Sequence, residues 1–379
     1  MQAVINPLRA PARTLAQRWS GFLPGILLTG AIAMLANGLS QGAWMQAHGI
    51  SALTLAIVIG MIAGNTFYPR LAGVSARGVA FSKQTLLRAG IILYGLRLTF
   101  QDIGRVGAVG VMVDALVLSS TFALSWWAGT RLFGLNRRTA MLIGAGSSIC
   151  GAAAVMATEP VVRGRAEEVS IAVATVVAFG TLAIFIYPAL YQLNERAHWL
   201  TLTPFAYGIF TGSTVHEVAQ VVAAGKAVAD TAANTAVITK LVRVMMLAPF
   251  LVLLSAYLSR HSEEGASEES ASEEGAAPAP GPQAWRGVIP WFALGFIAVA
   301  GLNSLALLPH AVVSTAIDAD TLILATAMAA LGVSTQISAI REAGVKPLAL
   351  AALLFGWLIF GGFAINTGIS ALFAKLLGH

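Results

Sequence analysis

Gly144 to Ala157 reads GAGSSICGAAAVMA. The stretch is apolar enough for a bilayer but is a poor continuous helix. Gly144, Gly146 and Gly151 interrupt it, and Ser147, Ser148 and Cys150 place small polar groups at its centre. A second stretch, Gly212 to Ala223, reads GSTVHEVAQVVA and copies it. Gly146 falls on Gly212, Ser147 on Ser213, Ser148 on Thr214, Ile149 on Val215, Ala153 on Ala219, Val155 on Val221 and Ala157 on Ala223. Two glycine-interrupted apolar segments point to a transporter site made of broken helices. Unwound backbone at membrane depth is tolerated only where protein buries it or where it lines a cavity. The plainer reading makes both stretches small-residue packing faces between membrane helices.

Composition sets the solvent. Of 379 residues, 57% are hydrophobic and 11% charged, and mean hydropathy is +0.77. A soluble domain carries about 25% charged residues. The chain is therefore an all-α polytopic membrane protein whose environment is the lipid bilayer. Its net charge of +6 comes mostly from loop Lys and Arg, so it implies no nucleic-acid partner. Cys150 is the one cysteine, which excludes an intrachain disulfide. Residues 1–20 are basic and polar, and the apolar run after them is long enough to span, so no cleaved leader is expected.

A span needs about 20 apolar residues. That measure predicts ten or eleven: 22–40, 50–68, 79–99, 106–130, 139–158, 169–191, 203–224, 232–258, 287–307, 319–338 and 347–374. The last two show no obvious midplane charge. The predicted organisation is a cytoplasmic N-terminal segment 1–21, a first membrane part 22–260 with both broken motifs, an acidic loop 261–283, and a last membrane part 284–379. The loop, HSEEGASEESASEEGAAPAPGPQ, has no apolar residue larger than alanine and reads as a disordered cytoplasmic linker. With the N-terminus in the cytoplasm and eleven spans, fourteen loop cations fall inside and five outside. That bias predicts N-in and C-out. It assumes that neither broken stretch re-enters the membrane.

A second echo joins Gly95–Ile103, GLRLTFQDI, to Gly332–Ile340, GVSTQISAI. Each is followed by a further glycine, Gly107 and Gly344. The two echoes have different offsets, so no single tandem duplication makes both.

Ionisable residues inside spans are functional candidates by default. Here they are Arg88, Arg97, Asp114, His216, Glu217, Lys240 and Arg243. Arg88 and Arg97 can snorkel to the interface. Lys240 and Arg243 are three apart and share a helix face. Glu217, Asp114 or Arg88 can belong to a structural ion pair or to ion coupling. The functional reading is an anion site. Half-helices starting near Ser147, Ser148, Ser213 and Thr214 would offer free N–H groups, hydroxyls and positive dipole ends. Cys150, Gly151 and Gln220 complete the motifs, and Lys240 and Arg243 supply cations. His216 is the pH-sensitive candidate. On this reading, replacing Ser148 or His216 with alanine abolishes transport. No motif asks for a metal, cofactor or ATP site, and an intramembrane enzyme lacks any GxSxG or HExxH signature. A cation/proton antiporter needs adjacent midplane carboxylates, and only the isolated Asp114 and Glu217 are present.

Together, GSSICGAAAVMA, GSTVHEVAQVVAAG and the upstream GLRLTFQDI resemble the YeiH family of bacterial inner-membrane proteins, also labelled sulfate exporters. The resemblance runs from about Phe22 to the last span. It implies an inner-membrane carrier distantly related to the cation/proton-antiporter and bile-acid-transporter fold, with inverted repeats and crossing broken helices. It carries over Ser147, Ser148, Ile149, Cys150, Gly151, His216, Glu217 and Gln220 as motif residues. Ala152 to Ala154 are more alanine-rich than the family pattern, and 261–283 resembles an insertion. The expected function is a secondary transporter exporting a small inorganic or organosulfur anion, sulfate or sulfite, coupled to an ion such as the proton. A cation/proton antiporter or an anion channel of the same fold is the alternative. A homodimer follows only by fold analogy.

Overall fold

The computed structural model describes residues 21–42, 45, 51–198, 200, 202–264 and 291–376, and these contain helices and no strand. Most of the acidic stretch lies outside them, and its first four residues continue the preceding helix to Glu264. Six described helices are long and apolar enough to cross a membrane: Leu23–Ser40, Phe100–Leu132, Ala166–Ala197, Asp230–Leu258, His310–Ser334 and Val345–Phe373. Each matches a predicted span.

The elements run as follows. α1 is Leu23–Ser40 and α2 is Ala52–Thr66. α3 (Tyr68–Phe81) fills the predicted loop before span three, and the span itself, 79–99, is broken into a π turn at Ser82–Leu86, α4 (Leu87–Tyr94) and a 3-10 turn at Gly95–Arg97. α5 is Phe100–Trp127, followed by a π turn to Leu132. Next come α6 (Arg137–Ser148), α7 (Ala152–Val162), α8 (Ala166–Ala197), α9 (Pro204–Thr214) and α10 (Val218–Lys226). α11 is Asp230–Met245 and α12 is Leu247–Glu264. α13 (Trp291–Ser304), α14 (His310–Ser334), α15 (Ile337–Glu342) and α16 (Val345–Leu376) complete the described chain.

Spans 139–158 and 203–224 do not cross. At the start of α6, Asn136 Nδ2 donates to Glu168 Oε1 at the start of α8, 2.9 Å away. Further along, Gly146 packs against Val176. So α6 and α8 run parallel from the same side, and α7 must return between them. The second stretch does the same. Gly208 packs on Ala232 and Thr235, and Gly212 on Ala236 and Thr239, so α9 and α11 run parallel. The Tyr207 hydroxyl donates to the Ala224 carbonyl at 3.4 Å, placing the end of α10 beside the start of α9. Both stretches are re-entrant hairpins. α6 has 12 residues and α9 has 11, so each arm is roughly 17 Å long. That is about half of a 30 Å hydrocarbon core. The hairpins start from opposite ends of α8, which is 32 residues long, and their tips meet near its middle.

Close helix approach holds the rest. Gly60 of α2 lies on the backbone of Ala329 in α14, and Gly332 of α14 lies on Ile57 of α2. Small residues let membrane helices pack backbone to backbone where no hydrophobic force separates helix from lipid.

The second echo is also structural. After Arg97 the chain extends, Thr99 caps a helix, and Gly107 breaks it with φ +40°. After Ser334 the chain extends, Gln336 precedes α15, and Gly344 turns with φ +85°. The elbows lie at different levels of α14, since Arg97 meets Ile317 and Thr321 near its middle while Asn65 meets Thr335 at its C-terminal end.

Candidate functional site

The two tips are built alike. α6 ends at Ser148 and α9 at Thr214, the breaks run 149–151 and 215–217, and α7 and α10 begin at Ala152 and Val218. The copy seen in the sequence is thus a copy in space. Gly151 has φ +74°, and an added Cβ would strike the Glu217 side chain, so the tips touch through a residue that must be glycine.

The hydroxyls are not where a half-helix begins. Ser147, Ser148, Ser213 and Thr214 are the last residues of the first arms, because the chain stays helical through Gly146 and Gly212 and unwinds only afterwards. Their side chains face inward. Ser213 Oγ donates to the Phe210 carbonyl at 3.0 Å and accepts from Asn366 Nδ2 at 3.0 Å. Thr214 Oγ1 also donates to the Phe210 carbonyl, and Ser148 Oγ reaches the Ala145 carbonyl at 3.5 Å.

What the first arms present is carbonyl oxygen, and two cations answer it. Lys240 Nζ donates to the carbonyls of Ile149 (2.5 Å) and Val215 (2.8 Å), which are equivalent positions of the two tips. Arg243 Nε donates to the Ser148 carbonyl at 2.5 Å, and its terminal nitrogens donate to the Ser147 carbonyl at 3.0 Å and to the Ser213 carbonyl. Both cations are fully buried. A buried cation costs several kcal/mol unless its donors are met. Half-helix C-termini each bring about half a negative charge and free carbonyls. So α11, packed on the second hairpin, reaches across to the first and ties both arms with one ammonium and one guanidinium.

Positive ends meet at the other side of the break. Glu217 is the N-cap of α10. Its backbone N–H donates to Gln220 Oε1 at 3.0 Å, which ties the first turn of α10 back to the break. Glu217 Oε1 accepts from Ala152 N, the first residue of α7, at 3.4 Å. Glu217 therefore stands at the N-terminus of α10 by its backbone and reaches the N-terminus of α7 with its carboxylate. Glu217 and Ala152 are half-buried and Ala153 is exposed, whereas Ser148, His216 and Gln220 are buried. His216 Nδ1 and Gln220 Nε2 have no hydrogen-bond partner among the described residues, and the His216 ring lies 6.5 Å from that of Phe355. Cys150 is 8% exposed at the first tip.

Asp114 of α5 is also buried, within electrostatic range of Arg243 and Lys240, yet neither carboxylate oxygen has a hydrogen-bond partner among the described residues. Arg88 is exposed on α4 and is not part of the tips. Arg97 does not snorkel. Its Nε and a terminal nitrogen donate to Asp320 Oδ2 at 3.2 and 3.1 Å, and the pair is 15% and 0% exposed. Asp320 is at the start of the predicted span 319–338, which shows no obvious midplane charge, but the helix begins at His310 and so places Asp320 near its middle. Asn366, absent from the sequence-derived candidates, bridges α16 to Ser213 through its side chain. An Asn inside an apolar run was the available signal.

These features define a polytopic membrane protein with two opposed re-entrant hairpins and charge-compensated tips. No solved structure matches the chain. Residues 24–351 match the family model described as conserved hypothetical protein 698. A UPF0324 membrane protein of Pseudomonas aeruginosa is 60% identical over 94% of this chain and 96% of its own. The UPF0324 inner membrane proteins YeiH of Salmonella typhimurium and Escherichia coli are 53% and 52% identical over 93% of this chain and 96% of theirs. The chain belongs to this UPF0324, or YeiH, family of membrane proteins.

Proposed function

We propose that this protein is a secondary transporter that moves a small divalent anion such as sulfate or sulfite across the bacterial inner membrane. The observation that carries the reading is Glu217, a carboxylate held where the N-termini of α7 and α10 converge. Helix N-termini bind anions through free N–H groups and the helix dipole. Glu217 is the one residue of the two breaks, 149–151 and 215–217, that is not fully buried. The first turn of α7 is Ala152, Ala153 and Ala154, which leaves room beside it. A substrate anion takes the position when Glu217 swings out. While the tips are joined, Lys240 and Arg243 hold the carbonyls and keep the centre positive, so their part is indirect. Opposed hairpins of half-membrane length give each side a route to the same tips, as alternating access requires.

Re-entry also bears on orientation. It moves Arg163 and Arg165 to the N-terminal side and Arg196 to the other, which sharpens the positive-inside bias toward a cytoplasmic N-terminus and a periplasmic C-terminus.

The test is sulfate flux into proteoliposomes of purified protein, with and without an imposed pH gradient. Saturable flux accelerated by the gradient is expected. No flux under any gradient from folded protein discards sulfate, and the same vesicles are then run with sulfite, small sulfonates, and sodium against protons. Glu217→Ala sharpens the test, because removing the competing carboxylate should tighten apparent anion affinity several-fold. Weaker affinity refutes the proposed position.

A further inference from the structure

We propose that Asp114 is a proton-binding site whose occupancy sets the Arg243 clamp on the hairpin tips. The proposal deepens the carrier reading above and rests on it for the purpose of the motion. Asp114 is fully buried with two unpartnered oxygens. An ionised carboxylate is not left in that condition when a cation is within range, so in this conformation it is the neutral acid. The charged groups that act on it are Arg243 and Lys240, both from α11. The other helices packed on α5, namely α6, α9, α13 and α16, bring charge only at their ends, at Arg137, Arg138, Lys346 and Lys375.

The donors leave room for exchange. A guanidinium has five N–H bonds and an ammonium three. Arg243 donates to three carbonyls and Lys240 to two. When Asp114 gives its proton to water, the new carboxylate competes with those carbonyls for the guanidinium. The spare N–H groups give the carboxylate its hold, and because the five donors share one rigid plane, drawing the fork toward Asp114 pulls its bonded edge off the carbonyls of Ser147, Ser148 and Ser213. Proton binding restores the clamp. Low pH therefore favours joined tips and high pH favours parted ones. The two equilibria are linked reciprocally, so a motion that parts the tips also releases the proton.

The chain carries its own reporter. Cys150 is its one cysteine, is nearly buried, and lies next to the Ile149 carbonyl held by Lys240. The experiment measures N-ethylmaleimide labelling of Cys150 in the full-length purified protein across a pH series, without substrate. It compares wild type with Asp114→Asn, a near-isostere that stays neutral. Dividing one rate by the other removes the thiol's own ionisation. The wild-type to D114N ratio should be near one at low pH and should rise by up to about tenfold per pH unit through the titration. A flat ratio overturns the proposal. So does slow labelling of Arg243→Lys at low pH, because loosening the fork should expose Cys150 there without any titration. Failure of sulfate flux alongside the expected ratio removes the substrate and leaves the proton site. Gradient-driven flux with a flat ratio removes the proton site alone.

Discussion

Arg243→Ala is the most informative single change. The guanidinium bonds three backbone carbonyls from two separate hairpins, all buried. Net, a charge-assisted hydrogen bond is worth about 1.5–3 kcal/mol, so three give about 4.5 kcal/mol at the low end. Removing one partner of a buried charged set costs about 3–5 kcal/mol by direct comparison. Both routes meet near 4–5 kcal/mol. For a chain of this length, unfolding entropy near the midpoint is about 0.8 kcal/mol per degree, so Tm should fall by about 5–6 °C. Tryptophan fluorescence during heating in detergent reads this directly, with eight tryptophans as reporters. Arg243→Lys keeps the charge but not the fork and should lose roughly half as much. If Arg243→Ala melts within about 1 °C of wild type with normal insertion, the clamp is not holding the tips and the reasoning fails.

Three further outcomes are expected. Gly151→Ala forces a Cβ into Glu217 at φ +74°, and each part costs at least about 1–2 kcal/mol, so purified yield and transport should both collapse; normal flux would show that the tips do not touch. Asp320→Ala strands Arg97 inside the α4–α14 contact and should lower stability by about 3 kcal/mol, read by the same melting assay, with Asp320→Asn intermediate. Ser148→Ala should keep most transport activity, because its hydroxyl makes only a 3.5 Å contact to Ala145 and its carbonyl does the work, whereas His216→Ala should lose it. Equal loss in both variants, measured as flux per inserted protein, would restore the hydroxyl to the site.

Glycine and small polar residues made the tips legible. The sequence copy at Gly146 and Gly212 located both breaks to within a few residues, because an unwound segment in lipid needs those residue types. Direction was not legible. Hydropathy averages over a stretch, so twenty apolar residues score alike whether they cross or fold back. The fold-back at 149–151 is decided by the pairing of Asn136 with Glu168 and by cations from α11. For the same reason Ser147 and Ser148 were assigned to a helix start when they form a helix end. A glycine precedes them in either case, and only the receiving partner distinguishes the two. Arg97 and Asp320 are 223 residues apart, and no local pattern joins them. Arg88 looked equivalent to Arg97 because depth along a helix was readable and rotation about it was not.

The clamp also orders the birth of the protein. Lys240 meets a carbonyl made 91 residues earlier, and Arg243 meets others made 95 and 96 residues earlier. At about 5–20 residues per second of synthesis, the first hairpin waits roughly 5–20 s with its tip carbonyls unanswered. Bare carbonyls are not stable in hydrocarbon. The first hairpin should therefore remain outside the lipid, or sheltered by the insertion machinery, until α11 emerges. A ribosome arrested before Lys240 should hold a chain whose Cys150 is still open to aqueous reagents, and one arrested well past α11 should not.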